Sequence, residues 1–225
     1  MIEHLPPLIL LGGTFDPVHY GHLRVADEVR RALAPVELRL VPAKDPPHRD
    51  APAASAADRV RMLELAVAEF PQLRIDCQEI ERTGKSYTVL TLEALRARFS
   101  QRPLALLVGA DAFLGLPQWH RWRAIFPLAH IVVANRPGAG LGTAAMQPQL
   151  REEWEQRLAA DPHALRERPA GTIVVVPVAP QPISATAIRG ALRRGARDEL
   201  AGLLPPAVLA YIETHRLYGI HPDAP

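Results

Sequence analysis

The stretch that decides the fold runs from residue 8 to residue 22 and reads LILLGGTFDPVHYGH. Its four leading apolar residues are typical of a buried strand, and the glycine pair behind them indicates a tight turn where that strand ends. Apolar residues then recur at helical spacing from about Gly21 to Leu33. The stretch therefore predicts a strand, a sharp turn and a helix, which is the repeating unit of α/β domains.

Strands and helices alternate along the rest of the chain. We expect further strands at residues 36–41, 73–77, 104–108, 131–134 and 173–178. We expect further helices at residues 55–70, 87–98, 148–160, 184–194 and 205–215. Charged residues lie on most faces of the 148–160 helix, so that helix is predicted to be exposed. The alternation predicts an open, doubly wound parallel α/β sheet in a single domain, residues 1–225, with an insertion near residues 136–170.

The composition excludes several classes of protein. Hydrophobic residues make up 48% and charged residues 22% of the chain, which excludes disorder and coiled coil as its main organisation. No apolar stretch reaches the roughly 18 residues that a membrane span needs, so we expect no membrane partner. Cys77 is the only cysteine, which rules out an intrachain disulfide and fits a reducing compartment. The first residues lack the basic region of a signal peptide, so we expect a cytoplasmic protein.

The charge of the chain favours small anionic ligands over nucleic acid. The formal net charge is only +2, and the 26 basic residues include just two lysines, Lys44 and Lys85. The densest basic group is short and consists of Arg189, Arg193, Arg194 and Arg197. A nucleic-acid protein would need a larger basic face, so we expect no nucleic-acid partner. The sequence gives no indication of the oligomeric state.

The segment after the first strand has the features of a phosphate site. Ligands of open parallel sheets bind at the carboxyl ends of the strands. Gly12 and Gly13 let the backbone approach a ligand closely, and the helix that follows presents free N–H groups and a positive dipole. His19 and His22 lie three residues apart, on one face of the start of that helix. The segment matches neither the P-loop nor the dinucleotide fingerprint. It also lacks the cysteine or glutamate spacing of a zinc site, so no protein metal site is expected.

A second candidate segment, residues 183–189, reads ISATAIR. Ser184 and Thr186 can cap a helix and donate hydrogen bonds to an anion. Arg189 offers a planar guanidinium that fits phosphate oxygens. Taken alone, the segment is equally compatible with a capped helix that carries an exposed arginine. Together with the histidine segment, it favours a phosphate-binding function.

These two segments resemble the signatures of the nucleotidylyltransferase superfamily, His-x-Gly-His and Ile-Ser-x-Thr-x-Ile-Arg. Further segments narrow the resemblance to the bacterial nicotinate-nucleotide adenylyltransferases. They are GGTFDPVHYGH at 12–22, TGKSYT at 83–88, VGAD at 108–111, Trp119 with Trp122, and NRPG at 135–138. The resemblance covers nearly the whole chain and implies a Rossmann-like fold. Lys85 and His120 depart from the family's pattern near the expected pyridine site.

The resemblance implies one reaction in NAD biosynthesis. ATP and nicotinate mononucleotide would give deamido-NAD and pyrophosphate by direct attack, and Mg²⁺ would accompany ATP and bridge its phosphate oxygens. The implied catalytic residues are His19, His22 and Arg189. The implied ATP-binding residues are Gly12, Gly13, Thr14, Phe15, His19, His22, Gly109, Asp111, Ile183, Ser184, Thr186 and Arg189. The implied residues for nicotinate mononucleotide are Thr88, Trp119, Tyr87, Lys44, Arg49 and Arg136.

Several of these assignments have alternatives. Asp111 could accept ribose hydroxyls or cap a helix, and Asp16 could orient the first turn or cap a helix. Lys44 and Arg49 could cover the phosphates or be solvated loop charges. Tyr87 and Trp122 could contact substrate, although packing is the simpler interpretation of each. For the whole chain, the alternatives are an adenylyltransferase acting on nicotinamide mononucleotide or phosphopantetheine, and a nucleotide sensor without catalytic activity.

Overall fold

The structure is a computed structural model that describes residues 6–34, 36–46, 51–136 and 141–219. In these residues six strands form one parallel sheet with the order β3-β2-β1-β4-β5-β6. The strands are β1 (Leu8–Gly13), β2 (Glu37–Pro42), β3 (Leu73–Ile75), β4 (Leu104–Gly109), β5 (His130–Asn135) and β6 (Ile173–Pro177). The chain starts in the middle of the sheet, winds to one edge, and then returns beside β1 to wind to the other edge. This topology confirms the predicted doubly wound sheet.

The described residues hold eight α-helices. They are α1 (Tyr20–Ala32), α2 (Ala56–Val67), α3 (Gln78–Glu81), α4 (Thr88–Arg98), α5 (Ala110–Leu114), α6 (Pro148–Arg157), α7 (Ala185–Arg193) and α8 (Pro206–Thr214). Every predicted helix is present. The two helices that the sequence did not predict, α3 and α5, have four and five residues, too few to show helical periodicity. Because α3 begins directly after Cys77, β3 ends two residues earlier than predicted.

Serine side chains cap two of the helices, α2 and α7, and the sequence predicted the cap of α7. The Ser55 Oγ accepts a hydrogen bond from the backbone N–H of Asp58 at 3.1 Å, at the start of α2. The Ser184 Oγ accepts one from the N–H of Ala187 at 3.2 Å, at the start of α7. Each bond satisfies an N–H group that the first turn of a helix leaves without a partner. These bonds fix the residues at which α2 and α7 begin.

Both faces of the sheet are covered by helices, which gives two apolar clusters. Alternate side chains of β1 enter opposite clusters: Ile9 packs on one face, and Leu8 and Leu10 pack on the other. The helices α1, α2, α7 and α8 cover the Ile9 face, and α4, α5 and α6 cover the Leu8 face. Because both faces are buried, a ligand can reach the sheet only at the ends of its strands.

The prediction that the 148–160 helix is exposed was wrong for one of its faces. Leu150 and Trp154, four residues apart on α6, are both buried, and the Trp154 ring lies 5.5 Å from the ring of Phe113. The charged residues of α6 occupy its other faces. Because the apolar stripe has only two residues, it gives little periodic signal in the sequence. The division into one domain with an insertion near residues 136–170 is not tested here and stays a prediction. Within the described ranges, no helix is long and apolar enough to cross a membrane.

We expect Trp154→Ala to lower the free energy of unfolding by about 3–5 kcal/mol, because it removes a buried ring and leaves a cavity. Gln156→Ala is the matched control, since Gln156 is exposed on the same helix. Urea denaturation of both variants measures the difference. Equal stability of the two variants would mean that α6 does not pack on the sheet.

Candidate active site

Among the described residues, two neighbouring cavities open at the carboxyl ends of the strands. We call them the outer cleft, of about 820 Å³, and the inner cavity, of about 230 Å³. Both are lined by Gly12, Gly13 and Thr14, so they meet at the turn that follows β1. This turn lies where the chain direction across the sheet reverses, between β1 and β4, which is the usual ligand position in such folds.

The outer cleft brings together the two segments that the sequence singled out. Phe15 and His22 line one side of it, and Thr186 and Arg189 of α7 line the other. These segments lie more than 160 residues apart in the chain. Of the remaining residues assigned to this site, Ser184 caps α7, and Ser184, Ile183 and His19 do not line the cleft. The outer cleft therefore contains hydrogen-bond donors on two opposite walls.

The two histidines form a stacked pair. Their ring centroids are 3.8 Å apart with an interplanar angle of 23°, and Phe15 meets His22 edge to face at 5.0 Å. Gly21 makes this pair possible, because a Cβ at that position would lie 2.9 Å from the His19 ring. The glycine between the histidines is thus required for space against a ring. His22 reaches the outer cleft, and His19 supports it from behind.

Burial controls the protonation of the inner histidine. His19 is 5% exposed, and its burial lowers the pKa of the imidazole from 6.5 to about 4, against a smaller opposing effect of a backbone hydrogen bond. The imidazole is therefore neutral at pH 7 in the ligand-free protein. A neutral ring can donate one hydrogen bond and accept another, but it carries no fixed positive charge.

Asp16 holds the turn after β1 in place. Its buried carboxylate accepts hydrogen bonds from the N–H groups of Ala53 (2.7 Å) and Ala54 (3.1 Å) and from the Tyr218 hydroxyl (2.8 Å). Its backbone carbonyl accepts a hydrogen bond from Arg189 Nη1 at 2.7 Å. The residue that caps α1 is His19, so Asp16 is not a helix cap. Of the two alternatives for Asp16, the structure supports orientation of the turn.

Arg59 is a residue of this site that the sequence analysis missed. It is 1% exposed, and its Nη1 donates hydrogen bonds to the carbonyls of Thr14 (2.7 Å) and Ala43 (2.6 Å), at the ends of β1 and β2. Burial lowers the pKa of its guanidinium, and the nearby Asp16 charge acts in the opposite direction. One signal was available, because Arg59 occupies a position on the buried face of an amphipathic helix, three residues before Met62.

The inner cavity has apolar walls and a few polar groups. Thr88 and Trp119 line it, together with Gly109 at the end of β4. Thr88 is the first residue of α4, so its N–H has no partner within the helix. Glu79 is a second residue that the sequence missed. Its buried carboxylate accepts a hydrogen bond from Thr91 at 2.5 Å, and burial raises its pKa while the Thr91 bond lowers it.

One serine joins the two segments that flank the inner cavity. Ser86 Oγ accepts hydrogen bonds from the N–H groups of Lys44 (2.9 Å) and Asp45 (3.3 Å). The Lys44 ammonium lies 3.4 Å from the Arg82 carbonyl, and Lys85 pairs with Asp45 at 2.9 Å. Lys44 therefore does not line either cavity. Lys85, a departure from the family pattern, lies at the same junction in a solvent-exposed ion pair.

Other predicted residues lie at the margin of the site. The Tyr87 ring packs at a tilt of 32° against the ring of His120, the second departure from the pattern, with centroids 4.3 Å apart. Asp111 is exposed in the first turn of α5, whose cap is Gly109, and Arg136 is exposed at the end of β5. Tyr87, Asp111 and Arg136 line neither cavity, so their contact with substrate stays a prediction.

Two further assignments have different outcomes. Trp122 is buried in the core, which confirms its interpretation as a packing residue. Arg49 falls outside the described residues, and its assignment stays a prediction.

We expect the His19 imidazole to titrate near pH 4 in the folded protein. Because this pKa lies below the unfolded value of 6.5, the stability that neutral His19 contributes is complete above pH 6.5 and is lost as the pH falls towards 4. Nitrogen-15 NMR of the imidazole, assigned with His19→Gln, measures the titration. A midpoint above pH 6 would contradict the burial of this ring.

Comparisons with known proteins find relatives over nearly the whole chain. The sequence model of one family, described as cytidylyltransferase-like, matches residues 10–191. A protein of Halorhodospira halophila named "Probable nicotinate-nucleotide adenylyltransferase" is 46% identical over 219 residues, covering 97% of this chain and 98% of its own. A protein of Pseudomonas aeruginosa with the same name is 47% identical over 210 residues, covering 93% and 95% of the two chains.

A solved structure shares the fold. It is the nicotinic acid mononucleotide adenylyltransferase of Plasmodium falciparum complexed with NaAD, which superposes with a TM-score of 0.74. The alignment covers 96% of this chain and 98% of that chain at 13% sequence identity. At this identity the likeness supports the architecture of the sheet and helices alone.

Proposed function

The chain belongs to the cytidylyltransferase-like family and, within it, to the nicotinate-nucleotide adenylyltransferases, and we propose that it joins its two substrates across the Gly12–Thr14 turn. It is a nucleotidyltransferase of NAD biosynthesis that transfers AMP from ATP to nicotinate mononucleotide, giving deamido-NAD and pyrophosphate. One observation carries the proposal for the site. A large polar cleft and a small apolar cavity share the turn that precedes the stacked histidines.

The outer cleft receives the triphosphate of ATP. Thr186 and the N–H groups at the start of α7 donate to phosphate oxygens, and the helix dipole favours their negative charge. Arg189 has one nitrogen committed to the Asp16 carbonyl, and this bond aims the rest of its guanidinium at the phosphates. Gly12 supports close approach of the ligand, because no protein atom lies within 4 Å of where its Cβ would be.

The inner cavity receives the pyridine ring of the acceptor. The Trp119 ring offers a flat apolar face to stack on the pyridine. The Thr88 hydroxyl and its free N–H donate to the nicotinate carboxylate at the positive end of α4.

On the adenosine side, Asp111 follows β4 closely enough to accept hydrogen bonds from the ribose hydroxyls of ATP, and Gly109 leaves space beside them.

The reaction is a single displacement at the α-phosphorus of ATP. A phosphate oxygen of nicotinate mononucleotide attacks and forms the new P–O–P bridge. The bond between the α-phosphorus and the oxygen bridging to the β-phosphate breaks, and its electron pair leaves with pyrophosphate. His22 donates a hydrogen bond to the phosphates as negative charge grows, and His19 holds the His22 ring in position. Such a reaction asks the protein for positioning and charge stabilisation.

The Mg²⁺ ion enters as part of the ATP complex. The described residues contain no group of three His, Cys, Asp or Glu side chains that could hold a metal ion. The carboxylate of Asp16, which lines the outer cleft, already accepts three hydrogen bonds. This donor set fits an ion that keeps its phosphate and water ligands, as Mg²⁺ does with nucleotides.

We expect His22→Ala and His19→Ala each to lower kcat by about 10²-fold or more, with smaller effects on the KM of either substrate. The reason is that the His22 hydrogen bond matters most when the leaving oxygen becomes negative, and that His19 holds the His22 ring in position for it. His163→Ala is the matched control, since His163 is exposed and remote from both cavities. Pyrophosphate release measures the rates. A folded variant with wild-type kcat would remove that histidine from the mechanism.

We expect nicotinate mononucleotide to be preferred over nicotinamide mononucleotide by at least about two orders of magnitude in kcat/KM. The amide would turn an N–H donor towards the donors of Thr88, and each buried mismatch costs roughly 1–3 kcal/mol. Assays of both acceptors at saturating ATP measure the preference, and Thr88→Ala is expected to reduce it. Equal use of the two acceptors by the wild type would contradict the role of Thr88.

A further inference from the structure

The four arginines of α7 and the turn that follows it divide into two pairs. Arg194 is paired with Glu199 at 2.7 Å, and Arg197 is paired with Glu213 at 3.2 Å. Arg189 and Arg193 both line the outer cleft. Of the four arginines that cluster in the sequence, only Arg189 and Arg193 therefore face the outer cleft.

Arg193 lies one helical turn beyond Arg189. Residues four apart in a helix share a face and are separated by about 6 Å along its axis. The side chain of Arg193 passes Gly219. A Cβ atom added at Gly219 would lie 3.7 Å from the Arg193 Cγ. Gly219 directly follows Tyr218, whose hydroxyl bonds to Asp16. The same C-terminal turn thus supports the phosphate-site turn and leaves room for Arg193.

The two arginines of the cleft differ in how they are held. Arg189 donates to the Asp16 carbonyl at 2.7 Å and lies 3.5 Å from the Thr186 hydroxyl. The Arg193 guanidinium makes no hydrogen bond or ion pair with any residue in the described ranges, and its side chain is exposed. All the donors of its planar fork are therefore open to a ligand. A triphosphate carries more charge than a single, partly committed arginine can balance.

We propose that Arg193 is a second phosphate-binding residue of the donor site, an inference that rests on the proposed function. Its guanidinium binds the terminal phosphate of ATP and, after transfer, the outer phosphate of pyrophosphate. Arg189 binds one turn nearer to the start of α7 and so nearer to the reacting phosphorus. Arg193 thereby selects a donor with three phosphates over shorter nucleotides, and it makes no contact with the acceptor.

Calorimetric binding of α,β-methylene ATP and of AMP tests the proposal in the intact protein. Arg193→Gln is expected to weaken binding of the ATP analogue about tenfold and to leave AMP binding unchanged. Arg193→Lys is expected to bind the ATP analogue with an affinity between those of the wild type and Arg193→Gln. An ammonium group keeps the positive charge but cannot form the two parallel hydrogen bonds of a guanidinium. Arg194→Gln is the matched control. It removes one charge from the same segment outside the cleft, and we expect wild-type binding of both nucleotides.

Three results would overturn the proposal. They are unchanged binding of the ATP analogue by Arg193→Gln, an equal loss for AMP, and an equal loss in Arg194→Gln. Steady-state assays distinguish failure of the Arg193 proposal from failure of the proposed function. A wild type that does not convert ATP and nicotinate mononucleotide refutes the function itself. In an active enzyme, Arg193→Gln is expected to raise the KM for ATP several-fold, with kcat and the acceptor KM close to wild type.

Discussion

The site depends on the buried carboxylate of Asp16. It accepts hydrogen bonds from residues 37, 38 and 202 positions away in the chain, so it ties the turn after β1 to the approach to α2 and to the C-terminal turn. A buried carboxylate is tolerated only when hydrogen-bond donors surround it. Loss of the carboxylate would leave the buried donors unsatisfied, which costs free energy of folding. The carbonyl of the same residue orients Arg189. One residue thus fixes both walls of the outer cleft.

Arg59 supports the same turn from beneath. It bridges the carbonyls at the ends of β1 and β2, which have no further strand residues to bond. Its charge lies near that of Asp16, and the opposite signs offset part of the cost of burying each. The backbone at Gly12–Thr14 is therefore held from both sides before any ligand arrives. A preorganised turn of this kind is what positioning and charge stabilisation require of a protein.

The sequence was sufficient for the sheet and for the residues that carry the chemistry, and insufficient for how they are held. Strand-helix alternation and the two motifs are local patterns. They predicted β1 and α7, and they predicted that His22 and Arg189 belong to one phosphate site. The bond between Tyr218 and Asp16 spans 202 residues and has no local pattern. Burial of Trp154 was missed because a two-residue stripe is hidden by its charged neighbours. The contact that holds the Lys44 backbone comes from Ser86, 42 residues further along the chain, and it too has no local pattern.

The central claim is that the two bound substrates react with each other in one step, with no covalent intermediate on the protein. The most direct test uses ATP that is chiral at the α-phosphorus, as a single phosphorothioate isomer, with nicotinate mononucleotide as acceptor. A direct displacement between an acceptor on one side and pyrophosphate on the other inverts the configuration in the dinucleotide product. Inversion is the predicted result, and retention would contradict the account because it requires a covalent intermediate on the protein.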